Sequence, residues 1–230
     1  MRIMKTLILL HGALGSREEL KVLEEKLSPH FNLHLIEFEG HGQSPLNGEF
    51  SIPAFAAQVS GHIQKNNLAP ANLFGYSMGG YVALYLASEQ PNLIDSIITL
   101  GTKFNWTPES ALKETRMLNP DVINEKVPKF GEYLSKLHGK DNWKVLLKRT
   151  ADLMISLGDN ELLSPRFSAI SNQCFLGRGS LDNMVSREET FKAVTAIPNA
   201  SYFELEDMPH PLLKVSPELL SQKVRSCLED

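Results

Sequence analysis

The chain has 230 residues, 42% hydrophobic and 22% charged, with a net charge of -4. That length suits one domain around a single core. The slight acidic excess leaves nothing to neutralise phosphates, so binding to nucleic acid or to an anionic membrane has no electrostatic support and a small-molecule partner is expected.

Taken in chain order, Met1-Arg2-Ile3-Met4-Lys5 followed by Thr6-Leu7-Ile8-Leu9-Leu10 has the outline of a secretory signal. Its apolar run is short and ends in His11-Gly12 without a small-residue cleavage site, so residues 6–10 are read as a buried first strand. A helix over 17–27, a strand over 32–38, a helix over 53–66, a strand over 72–76, a helix over 78–89 and a strand over 96–100 follow. Short apolar runs alternating with amphipathic stretches in this way predict right-handed βαβ units and a parallel sheet. From 103 to 166 no strand-like run occurs, and 108–118, 121–137 and 143–157 read as helices. This segment is expected to be an insertion that caps one sheet domain made of 1–102 and 167–230. The alternation resumes with a strand over 170–176, a helix near 188–196, a strand over 200–205 and a last helix over 217–228. No run approaches the ~18 apolar residues of a membrane span. Cys174 and Cys227 lack the spacing of a metal site or a disulfide framework and read as thiols of a reducing cytoplasm; no metal or cofactor is implied.

Gly75-Tyr76-Ser77-Met78-Gly79 is a G-x-S-x-G string at the junction of a predicted buried strand and a predicted helix. The string alone is weak, but its place is that of a nucleophile elbow, where a strained turn exposes the serine hydroxyl. A serine unaided is a poor nucleophile, so the motif asks for a histidine base and an orienting carboxylate, in the order Ser, Asp or Glu, His. Of the seven histidines, His210 satisfies that order, in a loop after the strand 200–205. His11 and His41 precede Ser77, and His138 falls inside the insertion. Asp182, after the strand 170–176, is the first choice of carboxylate; Asp207, three residues before His210, is the alternative, while Glu188 and Glu189 suit a helix start. The oxyanion formed on attack needs N–H donors, expected from Met78 at the start of the following helix and from Ala13 in the loop His11-Gly12-Ala13-Leu14-Gly15-Ser16. His11 itself reads as a hydrogen-bonding loop anchor.

Together HGALGS after the first strand, GHGQS at 40–44, GYSMGG at 75–80, Asp182 and His210 resemble the α/β-hydrolase superfamily, in particular its compact capped esterase-like members. The resemblance implies an α/β fold with about six parallel strands flanked by helices, without the family's first antiparallel hairpin. It implies Ser77, Asp182 and His210 as triad, Ala13 and Met78 as oxyanion hole, and His41, Gly42 and Ser44 as structural. Some relatives carry the acid after the strand that follows the nucleophile helix; here that place reads Gly101-Thr102-Lys103. Pro209 stands before the histidine where relatives commonly have glycine.

Hydrolysis of an ester or related acyl bond of a small, partly apolar molecule is the leading expectation. A triad used for proton transfer, as in C–C bond hydrolases or the lyase-type synthase of menaquinone synthesis, is a second, favoured if Arg116, Arg149, Arg166 or Arg178 face the site. A non-catalytic hydrolase-like binding protein is a third. Apolar residues of the insertion, among them Phe104, Trp106, Leu153 and Met154, are expected to divide between packing and a pocket over Ser77.

Overall fold

The structure, a computed structural model, describes residues 4–229; 1–3, the opening of the stretch weighed as a secretory signal, and 230 lie outside the described residues. Six strands, β1 (Thr6–Leu10), β2 (Asn32–Ile36), β3 (Ala71–Tyr76), β4 (Ile94–Leu100), β5 (Gln173–Gly179) and β6 (Ala200–Leu205), form one sheet. Its order is β2-β1-β3-β4-β5-β6 and every pairing is parallel. Because side chains alternate along a strand, Leu7 and Leu9 face one side of the sheet and Ile8 and Leu10 the other, and all four are fully buried. A sheet covered on both faces reads as continuous apolar runs, which is why β1 and β3 were visible without any polar alternation.

One face is covered by α1 (Lys21–Leu27) and α9 (Pro217–Leu228), which bury Leu23, Leu27, Leu220 and Val224 against Leu9, Phe74 and Ile98. The other is covered by α2 (Ile52–Lys65), α3 (Met78–Glu89) and α8 (Arg187–Ala196), whose Val59, Val82 and Ala193 pack on Ile8, Leu73 and Leu176. Each large aliphatic side chain so buried contributes about 1.5–3 kcal/mol. Between β4 and β5 the chain forms α4 (Pro108–Thr115), α5 (Pro120–Lys126), α6 (Pro128–His138) and α7 (Asn142–Asp159), and no strand. Among the described residues no helix is long and apolar enough to cross a membrane.

The helix read over 108–118 ends at Thr115, the strand read over 96–100 starts at Ile94, and 17–27 opens with a 3-10 turn before α1; three further elements differ from the sequence reading. The stretch 121–137 is two helices, because Pro128 offers no N–H and drives Val127 to φ -140 and ψ 58, outside the helical region. Strand β2 ends at Ile36, where its neighbour β1 ends; the Phe38 N–H instead donates to His11 Nε2 at 3.1 Å. Strand β5 starts three residues late and runs on through Gly177-Arg178-Gly179, a stretch that reads as a breaker but pairs with Phe203-Glu204-Leu205 of β6.

Candidate active site

Ser77 joins β3 to α3 with φ 51 and ψ -116, a positive φ that a non-glycine residue adopts only when its surroundings impose it. They do so here. The Ser77 N–H donates to Leu100 O at 2.9 Å, and its carbonyl accepts from Thr102 Oγ1 and from the Gly80 N–H, both at 3.0 Å. The flanking glycines are required by contact: a Cβ on Gly75 would lie 2.4 Å from the Gly80 nitrogen, and one on Gly79 2.5 Å from the Leu10 oxygen. The G-x-S-x-G spacing is therefore what allows strand and helix to meet this closely.

Asp182 lies three residues beyond β5 in a turn closed by its N–H on Gly179 O at 3.0 Å. Its Oδ1 accepts from the Met184 and Val185 N–H groups at 2.8 and 2.9 Å, and its Oδ2 accepts from His210 Nδ1 at 2.8 Å. Burial pushes this carboxyl up, but the hydrogen bond and charge of His210 and the two N–H groups outweigh it and hold the group below its usual range. Arg178 builds the turn, donating to the carbonyls of Val185, Ser180 and Asp182 and pairing with Glu204 Oε2 at 2.7 Å. Asp207, the alternative acid, has φ 57 and donates its N–H to Ser180 Oγ; its carboxylate makes no hydrogen bond to His210 among the described residues.

His210 is set against the elbow by Tyr76, whose ring lies 5.5 Å from the imidazole and whose hydroxyl donates to the His210 carbonyl. At Gly101, φ 64, an added Cβ would stand 3.3 Å from both Asp182 Oδ2 and His210 Nδ1, so the place after β4 where some relatives carry the acid borders the space this pair occupies. The Ser77 hydroxyl makes no hydrogen bond to His210 among the described residues; the ring is held through Nδ1. Such contacts commonly tighten only with substrate in place.

The loop after β1 abuts the elbow: a Cβ on Gly12 would fall 2.9 Å from the Tyr76 ring and 3.2 Å from Ser77 Cβ. Ala13 of this loop, Ser77 and Met78 line one cleft with about 440 Å³ of empty space, part of it open to solvent. His11 anchors the loop from beneath, fully buried, donating from Nδ1 to Gly12 O at 2.8 Å and accepting the Phe38 N–H at Nε2. Burial lowers it to about 4, so the ring is neutral.

The remaining wall comes mostly from the segment between β4 and β5, through Trp106, Thr150, Leu153, Met154 and Leu157. Sequence reasoning missed Lys103, a cation on this cleft. Its side chain is 12% exposed, pairs with Glu114 at 3.6 Å and donates to Met184 O at 3.3 Å. The four arginines singled out earlier do not line the cleft: Arg178 is spent on the Asp182 turn, Arg166 pairs with Glu89, and Arg116 and Arg149 are exposed. No group of three His, Cys, Asp or Glu side chains among the described residues could hold a metal ion.

Comparison with known proteins agrees with this architecture. The chain is 29% identical over 132 residues to a pimeloyl-[acyl-carrier protein] methyl ester esterase of Photorhabdus laumondii, covering 57% of this chain and 46% of that protein. It is 32% identical over 117 residues to the protein of the same name in Yersinia pseudotuberculosis, covering 51% and 43%. The matched stretch thus spans less than half the length of these relatives. The enol-lactonase of Burkholderia xenovorans superposes with a TM-score of 0.80 at 18% identity, over 100% of this chain and 93% of that one; MenH of S. aureus does so with 0.80 at 20%, over 100% and 95%. These two likenesses are of fold. The family model for the alpha/beta hydrolase fold matches residues 5–193, and with its parallel sheet and strand-to-helix elbow the chain belongs to that family.

Proposed function

We propose that this chain is a serine hydrolase that cleaves an ester, or a related acyl bond, of a small and partly apolar molecule. The observation that carries the reading is the positive-φ serine on an apolar cleft, beside a buried carboxylate bonded at 2.8 Å to a histidine. Asp182 accepts from Nδ1 and so leaves Nε2 as the base that takes the Ser77 proton. Ser77 Oγ attacks the carbonyl carbon, and the charge that develops on its oxygen meets the N–H groups of Ala13 and Met78, the latter at the positive end of α3. His210 returns the proton to the departing alcohol, and water releases the acyl group by the same steps in reverse roles.

The segment 103–166 acts as a cap whose apolar side chains take the acyl or alcohol chain. The names of the two relatives favour a methyl or other short-alcohol ester. Use of the triad for C–C bond chemistry has less support, because the arginines that would have favoured it point elsewhere or are already paired. The partner is a small molecule and the setting is the cytoplasm. A fluorophosphonate probe and p-nitrophenyl esters test the reading: the wild type should be labelled and should turn over, and Ser77→Ala should do neither while keeping its circular dichroism spectrum. Normal turnover by Ser77→Ala refutes it.

A further inference from the structure

The segment between β4 and β5 reaches the loop after β1 through a histidine that no step above uses. Helix α6 ends at His138, whose ring is buried between that loop and the one after β2. Its Nδ1 accepts the Gly42 N–H at 2.8 Å and its Nε2 donates to the Leu14 carbonyl at 2.9 Å. A backbone N–H can only donate and a carbonyl only accept, so these partners assign a neutral ring with its hydrogen on Nε2. The backbone being held is an uncommon one. Leu14 has φ 59 and is the third residue of a turn closed by the Gly15 N–H on Gly12 O at 3.2 Å, a position usually given to glycine or asparagine. Its side chain packs on Ile123, Leu134, Trp143 and Leu147, all from the same segment. The residue before it is Ala13.

We infer that His138 is a positioning residue: by holding the Leu14 carbonyl it fixes Ala13 as an oxyanion donor, so the oxyanion hole is complete only when α6 is docked. This rests on the hydrolase reading given above. If the Leu14 carbonyl is released, the φ of Leu14 can relax to negative values, which opens the turn closed by the Gly15 N–H on Gly12 O and lets the Gly12–Ala13 peptide, which carries the Ala13 N–H, rotate off line. The resulting defect lies in the transition state, so kcat should fall while KM stays.

Four variants test this on a short p-nitrophenyl ester. His138→Asn keeps an acceptor near the Nδ1 position for Gly42 but cannot reach Leu14; kcat should drop at least tenfold, short of the ~10²–10³ for outright loss of a donor, with KM within about twofold. His138→Gln reaches the Nε2 position with a donor and should regain most of the loss. His138→Glu has the same reach without a donor, so if the Asn variant does not fold, a Gln-to-Glu gap of at least about tenfold in kcat is the equivalent result. Tyr133→Phe removes another bond from α6, Tyr133 OH to Glu19 Oε1 at 2.8 Å, while keeping the ring and the His138 bond to Leu14, and should leave kcat unchanged. Wild-type kcat in His138→Asn, equal kcat in the Gln and Glu variants, or an equal loss in Tyr133→Phe overturns the inference. Ser77→Ala assayed alongside separates the two levels: turnover there refutes the hydrolase reading, whereas a dead Ser77→Ala with an indifferent His138 refutes only the positioning role.

Discussion

Replacing Asp182 by asparagine changes one atom, and the structure dictates where that atom goes. Two backbone donors, the N–H groups of Met184 and Val185, both point at Oδ1, so the asparagine oxygen must remain there. The amide NH2 then takes the place of Oδ2, 2.8 Å from His210 Nδ1. Two donors cannot face each other at that distance, so Nδ1 gives up its hydrogen and the ring carries it on Nε2 instead. In the proposed reaction that is the atom that accepts the Ser77 proton. The base is thereby disabled with its geometry intact, a change that in a serine protease costs about 10⁴ in kcat, or about 5–6 kcal/mol of transition-state stabilisation. Steady-state kinetics on a p-nitrophenyl ester should show this loss in kcat with KM little altered, and circular dichroism should be that of the wild type. Asp207→Asn should cost less than about tenfold, since its carboxylate makes no hydrogen bond to the ring. An Asp182→Asn enzyme within tenfold of wild type, or a larger loss at Asp207, would refute the assignment of the acid.

His11 should stay neutral far below the ordinary histidine range, because burial lowers it from 6.5 to about 4. A folded value below the unfolded one means that the unfolded chain binds the proton first. Stability from this group is therefore whole above about pH 6.5 and lost as pH falls toward 4, by about 3 kcal/mol in all. Ring resonances followed by NMR should move only near the lower value; a midpoint near 6.5 would contradict the burial argument. In the cleft, Met154→Ala should change the ranking among acetate to octanoate esters by about 1–3 kcal/mol in kcat/KM with the fold retained. An unchanged ranking would show that this wall does not touch the acyl chain.

Much of this site is legible in one dimension because its signals are local. Apolar strands buried on both faces need no partner to be recognised, and the glycines around Ser77 are demanded by a turn only five residues long. The order Ser77, Asp182, His210 follows from where parallel strands deliver their loops. Pro128 also marks the break between α5 and α6 locally, although the apolar periodicity on either side of it reads as one helix. Other features have no local signature. Leu14 in a left-handed conformation is disfavoured by its own sequence and stands because His138, 124 residues away, and the apolar side of the segment between β4 and β5 hold it. Arg178 looks available for substrate until β6 brings Glu204 to it and the Asp182 turn supplies carbonyls for its other donors. Lys103 becomes a cleft residue only because α4 carries Glu114 to meet it and the turn after Asp182 supplies the Met184 carbonyl. The proposed chemistry is thus written in short motifs, since a turn is shaped by its own residues. The cleft and the setting of the loop after β1 belong to the tertiary structure, because they are fixed by side chains that meet only after the chain has closed on itself.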